Sequence, residues 1–274
     1  MAADISQYVY PKASGKCLTA LQMLSEKDTD INTLEKAISG DDLLSHAIIK
    51  YSNSPVHHRA VDIEEVSPAI NLLGLKNIYN VLVMAVLKEY VTDNMTGSRI
   101  LQHSATIAAL TSLIGAHYNK QLQHEVELLG ILHDLPSLVL CYNHKAEYRS
   151  LMKEVTSAGQ PLEKMEQDIF GVNRTQLIKS AVSDLHVPAN LVQCINSYHS
   201  ISRPDEVLED DHLAILALAH HMEASVANQN LRLYDSVPGE KDALLKKLAI
   251  SDTKYSELIN ASRDVISEHI SLVA

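Results

Sequence analysis

The chain has no tryptophan and one phenylalanine, Phe170, in 274 residues. A core this poor in large rings must be built from Leu, Ile, Val, Ala and Met, a set that leans towards helix. Three cysteines, Cys17, Cys141 and Cys194, are odd in number, far apart and without CxxC spacing. That argues against a disulfide frame and fits buried thiols in a reducing compartment. Basic runs are also missing: none exceeds Lys246-Lys247, and the formal charge is −11. Binding a phosphate backbone draws on clustered Lys and Arg, so nucleic acid is not an expected partner. The central apolar run Val81 to Leu87 is far too short to span a bilayer. Met1-Ala2-Ala3-Asp4 opens no signal peptide. The expectation is a soluble, cytoplasmic protein with no membrane partner.

What is present is helical periodicity. At 274 residues the chain is one large domain or two ordinary ones. Leu18, Leu21 and Leu24 recur at helical spacing over 16–26. Asn32 and Glu35 have capping-box spacing, and Asp41-Asp42 opens a helix ended by Asn53-Ser54-Pro55. His57 and His58 fall in the loop that follows, on the surface. Ser67-Pro68 reads as a cap with Pro at the first helical position, and Gly74 as the next stop. Residues 75–90 are apolar on much of their circumference and should be central; Val81-Leu82-Val83 also suits a buried strand, but has no hairpin signal beside it.

Further on, Thr96-Gly97-Ser98 reads as a break before a helix over 99–118, with His103 on the stripe of Ile107, Leu110 and Ile114. Later helices are expected over 137–156, 161–170, 174–185, from Val187-Pro188 to His199, and over 211–227, 240–249 and 254–271. Pro204 and the acidic run Asp205 to Asp211 suggest a seam between two helical lobes. With no alternating run and no repeat, the class is all-α.

The chemistry centres on Leu128 to Leu140, where an apolar run delivers His133-Asp134 and Pro136 restarts the chain. One helix should end near the pair and another begin near Pro136, so the two side chains can converge instead of diverging along a helix. Imidazole beside carboxylate suits a divalent metal of intermediate hardness. The plainer alternative is a His–Asp hydrogen bond tying two helix ends together. His103 carries the same two readings, an inward core residue or a ligand.

Several stretches together resemble the HDOD family, the HD-related output domains of bacterial signalling. They are Tyr10-Pro11, Ala37 to Ser45, Asn53-Ser54, Ile63 to Ile70 with Leu72-Leu73-Gly74, Gln102-His103-Ser104, and Gly130 to Leu140. The resemblance covers about 9–205; residues 206–274 are expected to be a helical extension packed on the same core. It implies a multi-helix HD-like bundle. The wider superfamily comprises metal-dependent phosphohydrolases with ligands in the order His, His-Asp, Asp. Residue by residue, these fall on His103, on His133 and Asp134, and, where the last Asp would stand, on His220. The resemblance thus implies either no cofactor or a single divalent transition metal.

The departures matter as much. The family's Gly-Lys after His-Asp is Pro136-Ser137 here, which removes a phosphate-neutralising cation. Asn173-Arg174 stands where many relatives carry a His, the later His pair is reduced to Tyr198-His199, and no Gly-Tyr-Pro signature of cyclic-di-GMP phosphodiesterases occurs. The expectation is therefore a non-catalytic signalling module that binds a protein partner or a small ligand. The alternatives are a phosphohydrolase with a reduced site, or nucleotide binding without hydrolysis, in which Arg174 and His199 contact phosphate.

Overall fold

A computed structural model describes residues 5–26, 28–54, 62–91, 94–158, 161–201, 203–226 and 238–273. Among these residues there is helix and no strand. The helices are α1 Gly15–Ser25, α2 Ile31–Ser39, α3 Asp42–Ser52, α4 Val66–Leu73, α5 Leu75–Lys88, α6 Met95–Tyr118, α7 Gln123–Leu132 and α8 Leu135–Asn143. They continue as α9 Lys145–Ala158, α10 Leu162–Phe170, α11 Arg174–Ala181, α12 Ala189–Tyr198, α13 Asp211–Val226, α14 Lys241–Lys247 and α15 Asp252–Val273. The class read from the sequence is the class observed.

The bundle is built around α6, which packs against α7, α13 and α15. Small residues make this close packing feasible. Gly130 on α7 lies against the α6 backbone at Ala108, where a Cβ would come within 2.7 Å of Ala108 Cα. Gly115 on α6 similarly faces Val126 and Gln123 of α7. These two contacts hold α7 against α6 near both of its ends. α5 is buried from Ile78 to Leu87, as its apolar circumference requires, and α13 is buried from Leu213 to His220. Apolar residues from before and after 205 join one core cluster. No single helix among the described residues is long and apolar enough to cross a membrane; α4 and α5 reach that length only as a pair bent by 114°.

Several boundaries differ from the sequence reading, each for a local reason. Asp30, not Asn32, caps α2, its carboxylate accepting the Asn32 N–H at 3.1 Å. α4 begins at Val66 after Glu65, so Pro68 sits inside the first turn, where a missing N–H costs nothing. The break placed at Thr96-Gly97-Ser98 is helix. Asn94 caps α6 by accepting the Gly97 N–H at 3.2 Å, and Gly97 is there because Asn94 and Val91 press against it. The helix expected over 137–156 is two, divided at His144. Asn143, just before the break, clamps the backbone of Val9 through both its N–H and C=O. α11 stops at Ala181, not 185, and the seam at 205–211 contains a short 3₁₀ helix, Pro204–Leu208, whose Val207 is buried. Pro55, His57, His58, Gly159 and Gln160 lie outside the described residues.

Candidate metal centre

α7 ends at Leu132 and α8 begins at Leu135, leaving His133 and Asp134 as the joint between them. Asp134 leaves helical geometry (φ −102°, ψ 14°), and that turn brings its carboxylate back beside the His133 ring. α6 supplies His103 from one side and α13 supplies His220 from another. His103, His133 and Asp134 are fully buried and His220 is 3% exposed. Residues spread over more than a hundred positions of sequence thus meet at one point.

The distances among His103, His133 and Asp134 are those of a ligand set. His103 Nε2 lies 3.3 Å from His133 Nε2, and Asp134 Oδ2 is 3.5 Å from each. Donors held about 2.0–2.1 Å from one tetrahedral ion stand roughly 3.3–3.4 Å apart. One donor atom each from His103, His133 and His220 falls within a 4.8 Å triangle, and the three ring centroids are 5.0–5.4 Å apart.

Outer contacts fix which nitrogen faces inwards. His133 Nδ1 donates to Gly130 O at 2.8 Å and His220 Nδ1 donates to Leu216 O at 2.9 Å. His103 Nδ1 donates to Glu223 Oε1 at 2.7 Å. A carbonyl or carboxylate accepts only, so the proton sits on Nδ1 and Nε2 is the nitrogen that can ligate. Such second contacts are the usual companions of metal-bound imidazole. Tyr198 stacks on the His220 ring at 5.5 Å and walls the cluster on that side.

The charges are strongly coupled. Burial lowers His133 to about 4, and His220 well below its ordinary value, with neighbouring imidazoles adding to the effect. Burial would lower His103 too, but Glu223 and then Asp134 outweigh it and raise it. Burial would raise Asp134, yet His133, His103 and Arg174 hold its carboxyl far below the usual range. The centre therefore presents an ionised carboxylate and two neutral imidazoles before any ion arrives. His103, the third, is poised by Glu223. The donor set fits one divalent transition metal, since imidazole with carboxylate suits such ions.

Arg174 and His199 stand together on the Asp134 side. Arg174 donates through Nε to Glu166 Oε2 at 2.7 Å and through Nη2 to Ser137 Oγ at 2.7 Å. Its Nη1 is 4.0 Å from Asp134 Oδ1 and 3.8 Å from Glu163 Oε1. His199 Nε2 donates to His133 O at 2.7 Å, and its Nδ1 is 3.1 Å from Glu163 Oε1. Ser137 and Tyr148 also donate to Glu166, at 2.9 and 2.5 Å, so this buried carboxylate gathers three helices around Arg174. Sequence reading missed Glu223 and Glu166. Glu223 had a weak signal, a charged residue three after His220 on an otherwise apolar helix; Glu166 had none beyond its three-residue spacing from Glu163.

Comparison with known families gives a match to the HDOD domain over residues 11–201. Curated proteins give no match. Among solved structures, a protein of Shewanella amazonensis described as a putative phosphohydrolase superposes with a TM-score of 0.72 at 14% identity, covering 96% of this chain and 95% of that one. An HDOD domain protein of unknown function from Geobacter sulfurreducens gives 0.70 at 16% identity, over 98% and 94%. A putative signal transduction protein of Marinobacter aquaeolei gives 0.70 at 15% identity, over 96% of this chain and 60% of its own. At such identities the likeness is one of fold.

Proposed function

The chain belongs to the HDOD family, and on that footing we propose that it is a signal-transduction module whose centre holds one divalent transition metal without hydrolysing phosphate esters. The observation that carries this reading is the closure of the site. All four donor residues are buried, and the side on which a phosphate would meet cations is filled by Arg174, already committed to Glu166, Ser137 and Glu163. When bound, the metal supplies Lewis acidity and concentrated positive charge. His103, His133, Asp134 and His220 would hold it; Glu223, Gly130 O and Leu216 O orient three of them; Tyr198 and the buried walls exclude water. With one carboxylate in the set, a second ion finds little to neutralise it. Held there, one ion would tie α6, α7 and α13 together, and the module acts through its outer surfaces by binding a protein or small ligand. An open groove of about 520 Å³ beside α11 and α12, edged by Thr175, Lys179, His186 and Gln193, is one such surface.

The second reading, a phosphohydrolase with a reduced site, is favoured by the same convergence of His103, His133 and Asp134. A panel of phosphodiester, cyclic-di-GMP and nucleoside-phosphate substrates, with Mn²⁺, Mg²⁺ and Ni²⁺ supplied, separates the two. No turnover is expected. Turnover that vanishes in both His133→Ala and Asp134→Ala proteins would establish the enzyme instead.

A further inference from the structure

A second group of metal-type donors lies away from the buried centre. Cys194 on α12, Asp210 in the turn after the Pro204–Leu208 helix, and His212 in the first turn of α13 each offer one atom, all within 4.8 Å of one another. The His212 ring has a carboxylate at each nitrogen: Nδ1 is 3.4 Å from Asp210 Oδ1, and Nε2 is 3.4 Å from Glu125 Oε2 on α7. Asp210 is held in place by accepting the backbone N–H groups of His212 and Leu213, at 2.8 and 3.2 Å. Lys247, the nearby cation, is paired with Asp211 at 2.8 Å. Among the described residues neither Asp210 nor Glu125 has a lysine or arginine within ion-pair distance.

We propose that Cys194, Asp210 and His212 form a second, partly buried site for a thiophilic divalent cation of the zinc type, with Glu125 holding the far nitrogen of His212. Sulfur, imidazole and carboxylate together select zinc-like ions over magnesium or calcium, which take oxygen ligands. The carboxylate–imidazole pair at Nε2 is the outer contact such a ligand needs. The surroundings also lack compensation for their own charge. A bound cation would supply the positive charge that, among the described residues, neither Asp210 nor Glu125 draws from a lysine or arginine. Occupancy would cross-link α12, which ends just before His199, to the start of α13, which carries His220. The site would thereby report metal availability to the flank of the buried centre.

The test is titration of the purified full-length chain with Co²⁺, read by near-ultraviolet thiolate-to-cobalt charge transfer. The buried centre has only nitrogen and oxygen donors and is silent in that band. Cys17 and Cys141 lie elsewhere and are 2% and 0% exposed, against 9% for Cys194. A band saturating at one equivalent beyond what the buried centre takes up is expected, lost in Cys194→Ser and in His212→Ala, kept in Cys141→Ser, and needing about tenfold more Co²⁺ in Glu125→Gln. No band, or a band that survives Cys194→Ser, overturns the assignment. Should a variant fail to fold, alkylation of the wild-type protein gives a separate reading. Zn²⁺ should protect Cys194 from the reagent, and an unchanged rate would equally reject the site.

Discussion

Replacing Gly130 by alanine probes the contact that sets the centre's geometry. On propensity alone the change favours the α7 helix by about 1 kcal/mol. The new Cβ, however, would stand 2.7 Å from Ala108 Cα, 2.7 Å from Thr111 Oγ1 and 2.8 Å from Ala108 N. Two of those atoms are backbone of α6, which is packed on other sides by α13 and α15 and cannot swing away as a side chain can. Overpacking costs about 1–3 kcal/mol, and a backbone collision belongs at the upper end, so the net effect should be a loss of about 2 kcal/mol. Moving α7 outwards also carries His133 from His103, now 3.3 Å apart through Nε2. Urea unfolding should show a lower midpoint at unchanged slope, and heating a transition roughly 4–8 °C lower. Gly15→Ala is the control: nothing lies within 4 Å of its Cβ, and it should be neutral or stabilising by under about 1 kcal/mol. A Gly130→Ala protein as stable as the wild type would refute the close-packing argument.

Three other outcomes follow. Glu166→Gln leaves Arg174 short of its main partner and should cost about 3 kcal/mol in denaturant unfolding; adding Arg174→Met should recover part of it, and equal stability of Glu166→Gln and wild type would remove Glu166 from the account. His269 on α15, buried beside Glu127 on α7 at 3.3 Å, is lowered by burial but raised more strongly by Glu127 and Glu268, so its net shift is upward. A raised histidine contributes stability that is full below its unfolded value near 6.5 and is lost as pH rises through its folded value. Stability should therefore fall as pH rises above about 6.5, and His269→Gln should flatten that slope; identical slopes would contradict the pairing. Glu163, raised by burial but lowered further by its His199 and Arg174 contacts, ends at about 2; its contribution is present above pH 4.5 and drains away as pH falls towards 2, which Glu163→Gln should abolish in acid-unfolding curves.

Much of this was legible because helices announce themselves by period. The stripes through Leu18, Leu21 and Leu24, or through Ile107, Leu110 and Ile114, hold as buried faces except at Leu18 and Leu24, which are only partly covered. The joint at His133-Asp134 was readable because Pro136 restricts what the backbone can do after it. Boundaries governed by a single cap were not. Asn94 decides where α6 begins, and its effect on Gly97 is visible only once the cap is formed. Glu223 and Glu166 were hidden for a different reason. Their partners lie 120 residues away at His103 and across α8, α9 and α11, and no local pattern encodes such pairings. Arg174 and His199 read from the sequence as phosphate contacts of a nucleotide-binding alternative, while no local pattern shows that Glu163, Glu166 and Ser137 surround them.

The buried His103, His133, Asp134 and His220 cluster is proposed to hold one transition-metal ion. Elemental analysis of a Cys194→Ser protein tests it most directly, because that background removes the thiolate site. After exposure to Mn²⁺, Co²⁺, Ni²⁺ and Zn²⁺ and removal of loose metal, about one divalent transition-metal ion per chain should remain, and adding His133→Ala should abolish it. A metal-free Cys194→Ser protein, or metal retained after His133→Ala, would contradict the account.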